Sequence, residues 1–345
     1  MQTIARWRQE NHEKKQLKIE MELKFSWFIF IILFLACLHY ISLVTYDLME
    51  KRYTTLTVEG FDDKLVIAKE SGNETYLDND ELYDSFYASV YDQLVQSSVR
   101  TQAEIGLLLH VWTAGGNSIE KMSILDVGCG TGIAAAAFAK MNAGHVVGLD
   151  KSKAMIERAR TVTIPSAMIT DEQKKRINLL EADILNPSAL GGAEITHATM
   201  FYFTVYYLKD MEAAFRNLYL WVKPGGKLAI EVVNKHKFDP MLESAAPWMA
   251  FSLQKYSKER VTKSKVTFNK FEYDAHFDLE DPSAEFRETF RFKDGKVRRQ
   301  RHRLLMPDIK EIVKTAQVAG WKYDNNIDLT PIGFEYAYLL MFTHP

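Results

Sequence analysis

The chain has 345 residues, 47% of them apolar, and a formal net charge of −2. It is long enough to bury one large α/β core or two smaller ones. The near-neutral balance argues against a wholesale nucleic-acid binder, which carries a strongly basic face, so no nucleic-acid partner is expected. The two cysteines, Cys37 in an apolar run and Cys129 in a glycine-rich turn, leave no disulfide framework to build.

Residues 1–24 mix charges of both signs and read as a basic N-terminal tail. Residues 25–46 carry no charge and are rich in Phe, Ile and Leu; as a helix they would cover about 33 Å, enough to cross a bilayer. A buried core helix would show a polar face, which Ser26, His39, Ser42 and Thr45 do not supply. A signal peptide would have a shorter apolar stretch and a small-residue cleavage site. A single retained transmembrane anchor is therefore expected. Counting Arg6, Arg8, Lys14, Lys15, Lys18 and Lys24 against Lys51, Arg52 and Lys64 puts the main domain across the membrane from the tail. The chemistry of the glycine-rich turn favours instead a domain facing the cytosol, with the mitochondrial inner membrane as an alternative setting. Residues 47–75 read as a linker, with a short strand at Lys64–Ala68 and a turn at Ser71-Gly72-Asn73.

One helical pattern is predicted from Asp80 to about Ala114, with Tyr83, Tyr87 and Tyr91 recurring on one face. That face either packs into a core or forms an aromatic lid over a ligand. Strands follow at Ser123–Val127, Val146–Asp150, Ile177–Leu180, Ile195–Met200 and Lys227–Val233. Helices at Ile133–Met141, from Lys151 with Ser152 as cap, and at Met211–Trp221 alternate with them. This alternation predicts an α/β fold: a doubly wound, mostly parallel seven-stranded sheet in a domain over 76–345. The rhythm breaks at 235–306, which reads as an antiparallel β insertion with strands Lys265–Phe277, Glu285–Phe292 and Lys296–Met306. Helix Pro307–Ala319 and strands Trp321–Ile327 and Tyr336–Thr343 close the domain.

The stretch Ile124–Gly132, Ile-Leu-Asp-Val-Gly-Cys-Gly-Thr-Gly, is a buried strand turning into a helix N-terminus, where glycines allow a ligand close to the backbone. In an open α/β sheet ligands sit outside the carboxyl ends of the strands. Asp126, Asp150 and Asp183 all fall at such ends. A carboxylate after the second strand can accept from both ribose hydroxyls, and Asp183, beside Ile184, can receive an adenine amine. The spacing G-x-G-x-G departs from the dinucleotide fingerprint G-x-G-x-x-G, and no Lys followed by Ser or Thr makes a phosphate loop.

Taken together, Ile124–Gly132, Val146–Ser152, Glu181–Ile184 and Val222–Leu228 resemble the sequential motifs of class I S-adenosylmethionine-dependent methyltransferases. The resemblance covers about 120–345 and implies a Rossmann-like fold with S-adenosyl-L-methionine as cofactor. The implied cofactor-binding set is Asp126, Gly128, Cys129, Gly130, Thr131, Gly132, Asp150, Lys151, Asp183, Ile184, Met200 and Tyr91. The tyrosine helix and the insertion are similar to those covering the active site in small-molecule methyltransferases. The acceptor is then a small or lipid-associated molecule with an N- or O-nucleophile. A catalytically idle scaffold in a membrane assembly is the alternative, and a homodimer is compatible with either.

Methyl transfer asks mainly for positioning and exclusion of water, with a phenol or imidazole to manage the acceptor's proton. Tyr202 and His302 are the catalytic candidates, with Tyr206, Tyr87, Tyr91 and His276 near them. No cluster has metal-ligand spacing, so no metal is expected. Arg291–Arg303, dense in Lys and Arg, reads either as a solvated hairpin or as an electropositive lip for anionic headgroups.

Overall fold

The computed structural model describes residues 56–58, 76–95, 97–114, 116–240 and 260–345. The expected tail, the span at 25–46 and the strand at Lys64–Ala68 lie outside the described residues. Among the described residues no helix is long and apolar enough to cross a membrane. Leu56–Pro345 form one compact unit.

That unit is built on two sheets. The larger contains β2 (Ser123–Val127), β3 (His145–Asp150), β4 (Ile177–Glu181), β5 (Ile195–Met200), β6 (Val222–Val233), β11 (Lys322–Asp328) and β12 (Ala337–Thr343). Its order is β11-β12-β6-β5-β2-β3-β4. The five strands from β6 to β4 pair in parallel, while β12 and β11 run antiparallel at one edge. The result is a mixed seven-stranded Rossmann-like sheet. Strand order reverses at β2, which lies between β5 and β3, and the carboxyl ends at such a reversal are where open α/β sheets bind ligands. The parallel strands are continuous apolar runs because both faces are covered: Ile124, Leu125, Val146, Val147, Ala198, Leu228 and Ile230 are all buried.

The second sheet joins β1 (Leu56–Val58), β7 (Lys263–Phe268), β8 (Phe271–Glu280), β9 (Ser283–Phe292) and β10 (Val297–Leu305) in that order. It holds four antiparallel strands from the inserted segment, where three were expected. The long first strand, predicted as Lys265–Phe277, folds back at Asn269-Lys270 so that Val266 and Phe268 face inward with Phe271 and Tyr273. Strand β1 adds to it in parallel, pairing Leu56 with Val266.

The single predicted helix from Asp80 to Ala114 is three: α1 (Asn79–Leu82), α2 (Ser85–Leu94) and α3 (Ser97–Trp112). The break at Tyr83–Asp84 has a local cause. Asp84 leaves helical geometry and its carboxylate accepts from the Tyr87 amide at 3.0 Å, starting a new helix. Further along, α4 (Ile133–Lys140) follows the glycine turn, and α5 (Lys153–Arg158) is capped by Ser152 and widens into a π-helical turn over Ala159–Thr163. Short α6 (Asp171–Lys175) starts at a Thr170–Gln173 capping box. Helices α7 (Met211–Trp221) and α8 (Ile309–Val318) pack together beside β6 and β11.

Candidate active site

The strand β2 ends at Val127 and the chain turns through Gly128, Gly130 and Gly132, with φ of 67°, 52° and 82°. Only glycine takes these values without strain. At Gly128 a Cβ would also fall 2.6 Å from the Thr204 side chain, whereas at Gly130 the nearest neighbour would be the edge of the Tyr91 ring at 4.0 Å. Gly130 is therefore where a ligand can lie on the backbone. The amides of Gly128 and Cys129 point at the Leu149 carbonyl, 2.7 and 3.1 Å away, fastening the turn to β3.

The carboxylate of Asp150, at the end of β3, bridges the next two elements. Its Oδ2 accepts from the Gly130 amide at 2.9 Å and its Oδ1 from the Ser152 amide at 2.8 Å. Burial raises its pKa, opposed by those two amides and by the charge of Lys151. Ser152 caps α5 and donates its hydroxyl to the Tyr83 carbonyl at 2.8 Å, so the aromatic segment is tied to the same corner. Thr131 donates to Asp92 of α2 at 2.5 Å. Tyr91, also on α2, lies near enough to feel Asp150 and Arg100, and burial pushes its pKa up.

Other expected cofactor residues take varied places. Asp126 is buried within the sheet, where its carboxyl accepts from the Thr199 hydroxyl at 2.9 Å; burial raises its pKa to about 7. Met200 and Cys129 are buried, and burial raises the Cys129 thiol. Lys151 is exposed and paired with Asp80. Asp183 is exposed, its Oδ1 accepting from the Leu185 amide at 2.9 Å, and Ile184 beside it is buried. The open backbone at Gly130, a carboxylate at the end of β3 and an acid with an apolar neighbour after β4 suit a nucleoside bearing a charged amino-acid tail.

Facing this corner, Tyr202 follows β5 with φ 54°, a left-handed value that is costly for a bulky residue. It is held there by its amide, which donates to the Glu231 carboxylate on β6. Its hydroxyl lies 3.1 Å from Thr101, and the Arg100 guanidinium covers its ring at 4.7 Å. Arg100 also pairs with Glu231 and with Glu104. Burial raises the Tyr202 phenol well above its ordinary value, so it stays neutral.

His302, on the inner face of β10, is buried and doubly engaged. Its Nδ1 is 2.5 Å from the Tyr207 hydroxyl and its Nε2 is 2.6 Å from Glu288 on β9. Tyr206, by contrast, accepts from the Val233 amide at 2.8 Å and is a structural tie. His276 lies on the other face of the second sheet with Arg287 and Asp278, because residues of β8 alternate and Tyr273, Ala275 and Phe277 take the inner face. It does not join the cleft.

Sequence reasoning missed Arg100, Glu231 and Glu288. The last two had a signal. Glu231 interrupts the run Ala229-Ile230-Glu231-Val232-Val233, and Glu288 sits between Phe286 and Phe290 on an apolar face. A lone acid in such a pattern marks a buried, partnered charge.

Residues 124–226 match the family described as methyltransferase domain. The chain is 30% identical over 133 residues to the ribosomal protein L11 methyltransferase of Dechloromonas aromatica, covering 39% of this chain and 40% of that protein. It is 28% identical over 118 residues to the mitochondrial ubiquinone biosynthesis O-methyltransferase of Dictyostelium discoideum, covering 34% and 37%. It thus spans about two-fifths of these relatives' lengths. Two solved structures share the fold. The CcbJ methyltransferase of Streptomyces caelestis aligns with a TM-score of 0.56 at 15% identity, over 77% of this chain and 99% of that one. The S-adenosylmethionine-bound amino pentose methyltransferase CalS10 of Micromonospora echinaspora aligns at 0.51 and 19%, over 75% and 96%. Residues 124–226 thus carry a methyltransferase domain, and the sheet built around them has the fold of S-adenosylmethionine-dependent methyltransferases.

Proposed function

We propose that the chain is an S-adenosylmethionine-dependent methyltransferase acting on a small or lipid-associated acceptor with a nitrogen or oxygen nucleophile. The observation that carries this reading is Asp150, whose two carboxylate oxygens span the Gly130 and Ser152 amides beside Tyr91. In this reading the Gly128–Gly132 turn, with Cys129 and Thr131, holds the methionine part. Asp150 and Lys151 flank the ribose, Asp183 and Ile184 the adenine, and Asp126 and Met200 support the turn from beneath. When bound, the cofactor supplies an electrophilic methyl group. The chain's own residues bind and orient the acceptor and exclude water, with the aromatic side chains of Tyr91, Tyr202 and Tyr207 around it.

The proposed organisation is a basic tail at 1–24, a transmembrane anchor at 25–46, a linker at 47–75 and a doubly wound methyltransferase domain at 76–345. The insertion 235–306 covers the acceptor. The domain faces the compartment where the cofactor is made, the cytosol. A lipid-associated acceptor follows from that anchoring, since a tethered enzyme meets substrates dissolved in the same bilayer.

Calorimetry of the full chain in detergent with S-adenosylmethionine tests the reading. Wild type is expected to bind, and Asp150→Asn to bind about 10–100-fold more weakly, as the loss of one charged hydrogen bond implies. Absence of binding, or binding indifferent to Asp150→Asn, overturns it. Release of S-adenosylhomocysteine with a panel of amines, phenols and carboxylates then identifies the acceptor class.

A further inference from the structure

The second sheet contributes more than a cover. Glu288 on β9 is buried and accepts four hydrogen bonds. Its Oε1 takes the hydroxyls of Tyr273 at 2.6 Å and Tyr87 at 3.2 Å. Its Oε2 takes the Gln300 amide at 2.5 Å and the His302 ring at 2.6 Å. Four donors saturate an ionised carboxylate. Burial by itself would raise the Glu288 pKa, yet a charge on His302, whenever the ring carries one, and these donors hold it below the usual carboxylate range. With Nε2 committed to Glu288, the remaining ring nitrogen of His302, Nδ1, meets the Tyr207 hydroxyl at 2.5 Å.

Tyr207 belongs to the segment after β5, in the large sheet, so this contact joins the two sheets through a proton-bearing group. Tyr83 stands next in line: its ring packs edge-on against Tyr207 and against His302, each with centroids 6.0 Å apart. The interaction between the two phenols raises the pKa of Tyr83 and opposes the rise at Tyr207. Burial pushes both phenols far above their ordinary range, so both remain neutral. Tyr83 is also close enough to Asp150 to feel its charge, and its carbonyl is tied to Ser152. Tyr83 and Tyr207 are partly exposed, whereas His302 and Glu288 are buried. The row therefore runs from the cofactor corner inward to a buried imidazole and carboxylate. Such burial exceeds what packing alone asks of a histidine and a glutamate, both costly to bury.

We infer that Tyr83, Tyr207, His302 and Glu288 form a proton relay that takes the proton shed by the acceptor during methyl transfer. This rests on the methyltransferase reading above and assigns it an acceptor that arrives with a proton to lose, an amine or a hydroxyl. The acceptor's lone pair forms the new bond to the methyl carbon, and the carbon–sulfur bond gives its pair to sulfur. The acceptor's proton passes to the Tyr83 oxygen as Tyr83 hands its own to Tyr207 and Tyr207 hands its own to His302 Nδ1. The imidazolium so formed is balanced by Glu288, and the proton returns to water along the same row once product leaves. Neutral phenols can pass a proton but not store it; an imidazole takes and gives one near neutral pH. Tyr83 is the catalytic residue of the row, while Tyr207, His302 and Glu288 act through it as positioning residues.

Nitrogen NMR of the full chain labelled at histidine, in detergent at pH 7.5, reads the resting state without any acceptor. The expected result is a neutral His302 protonated at Nε2, with an Nδ1 resonance that moves in Tyr207→Phe. A proton on Nδ1, or a resonance indifferent to Tyr207→Phe, overturns the relay. With any amine or phenol that wild type methylates, Tyr83→Phe and Tyr207→Phe are each expected to lower kcat about 100-fold. The double variant should fall no further, with KM and S-adenosylmethionine affinity unchanged, because groups acting as one unit are not additive. Additive losses, or losses confined to KM, overturn it too. Tyr→Phe keeps the ring packing, and a melting curve matching wild type certifies each variant. Failure of wild type to bind S-adenosylmethionine would sink the methyltransferase reading alone, since the NMR result stands apart from it.

Discussion

At the scale of single residues, the site is a set of acids whose surroundings assign them different work. Asp150 accepts from two backbone amides and is part-buried at the end of β3. Asp126, in the adjacent strand, is enclosed with one hydroxyl donor, and its pKa rises from 3.8 to about 7. The folded chain then keeps a proton that the unfolded chain loses. Its contribution to stability is full below about pH 4 and is lost as pH rises to about 7, above which it is level. Asp126→Asn keeps an oxygen for Thr199 and removes the titration. Urea unfolding between pH 4.5 and 8 is expected to show a pH slope reduced by about 1 kcal/mol per unit up to pH 7. At pH 8 the variant should be no less stable than wild type. Asp126 and Asp150 were both legible in the sequence as acids at strand ends, but their division of roles was not. That division depends on which neighbouring strand brings a hydroxyl and which turn brings amides.

At the scale of elements, β10 shows why a charge count misleads. Its residues alternate, so Arg298, Gln300, His302 and Leu304 face inward and Arg299, Arg301 and Arg303 outward. Arg298 is fully buried: it donates to Asp84 at 2.6 Å, to the Leu82 carbonyl at 2.8 Å and to Gln300 at 2.8 Å. Arg301 pairs with Asp78 at 2.9 Å, and the backbone of Leu77 bridges Arg299 and Arg301. Much of the positive charge in Arg291–Arg303, read from sequence either as a solvated hairpin or as an electropositive lip, is thus spent on fastening the segment before α2 to the second sheet. Arg298→Gln leaves Asp84 and the Leu82 carbonyl without their donor and is expected to cost about 3 kcal/mol, read by chemical denaturation. The same segment explains the broken helix. Helical periodicity over Asp80–Ala114 is real, but Asp84 serves both as a cap for α2 and as a partner for Arg298, and its second partner lies far along the chain. The four strands of the insertion were only partly legible for a related reason. Asn269-Lys270 carries no glycine or proline, so its turn is set by strand pairing and by the burial of Phe268 and Phe271.

At the scale of the whole molecule, the proposed anchor and the domain make separate demands. An apolar stretch of this length partitions into a bilayer on its own hydrophobicity, whereas the domain folds on its own buried core. Deleting 25–46 from the full chain is expected to move the protein from the alkali-resistant membrane fraction to the supernatant with its circular dichroism otherwise retained. Persistence in the membrane fraction would reject the anchor.

The sequence by itself determined the alternation of strands and helices, the glycine turn and the acids at strand ends. These are local: side-chain periodicity, the need for positive φ and the position of a residue within its own strand. It could not determine that β12 enters between β6 and β11, that Glu231 holds Tyr202, or that Tyr207 meets His302. Those pairings join residues separated by 29 or 95 positions. They exist because the fold brings distant segments together, so that buried polar groups meet where each must find a partner. The turn at Ile124–Gly132 is written in a local stretch of sequence; the contact of the segment after β5 with the second sheet is decided only by the tertiary structure.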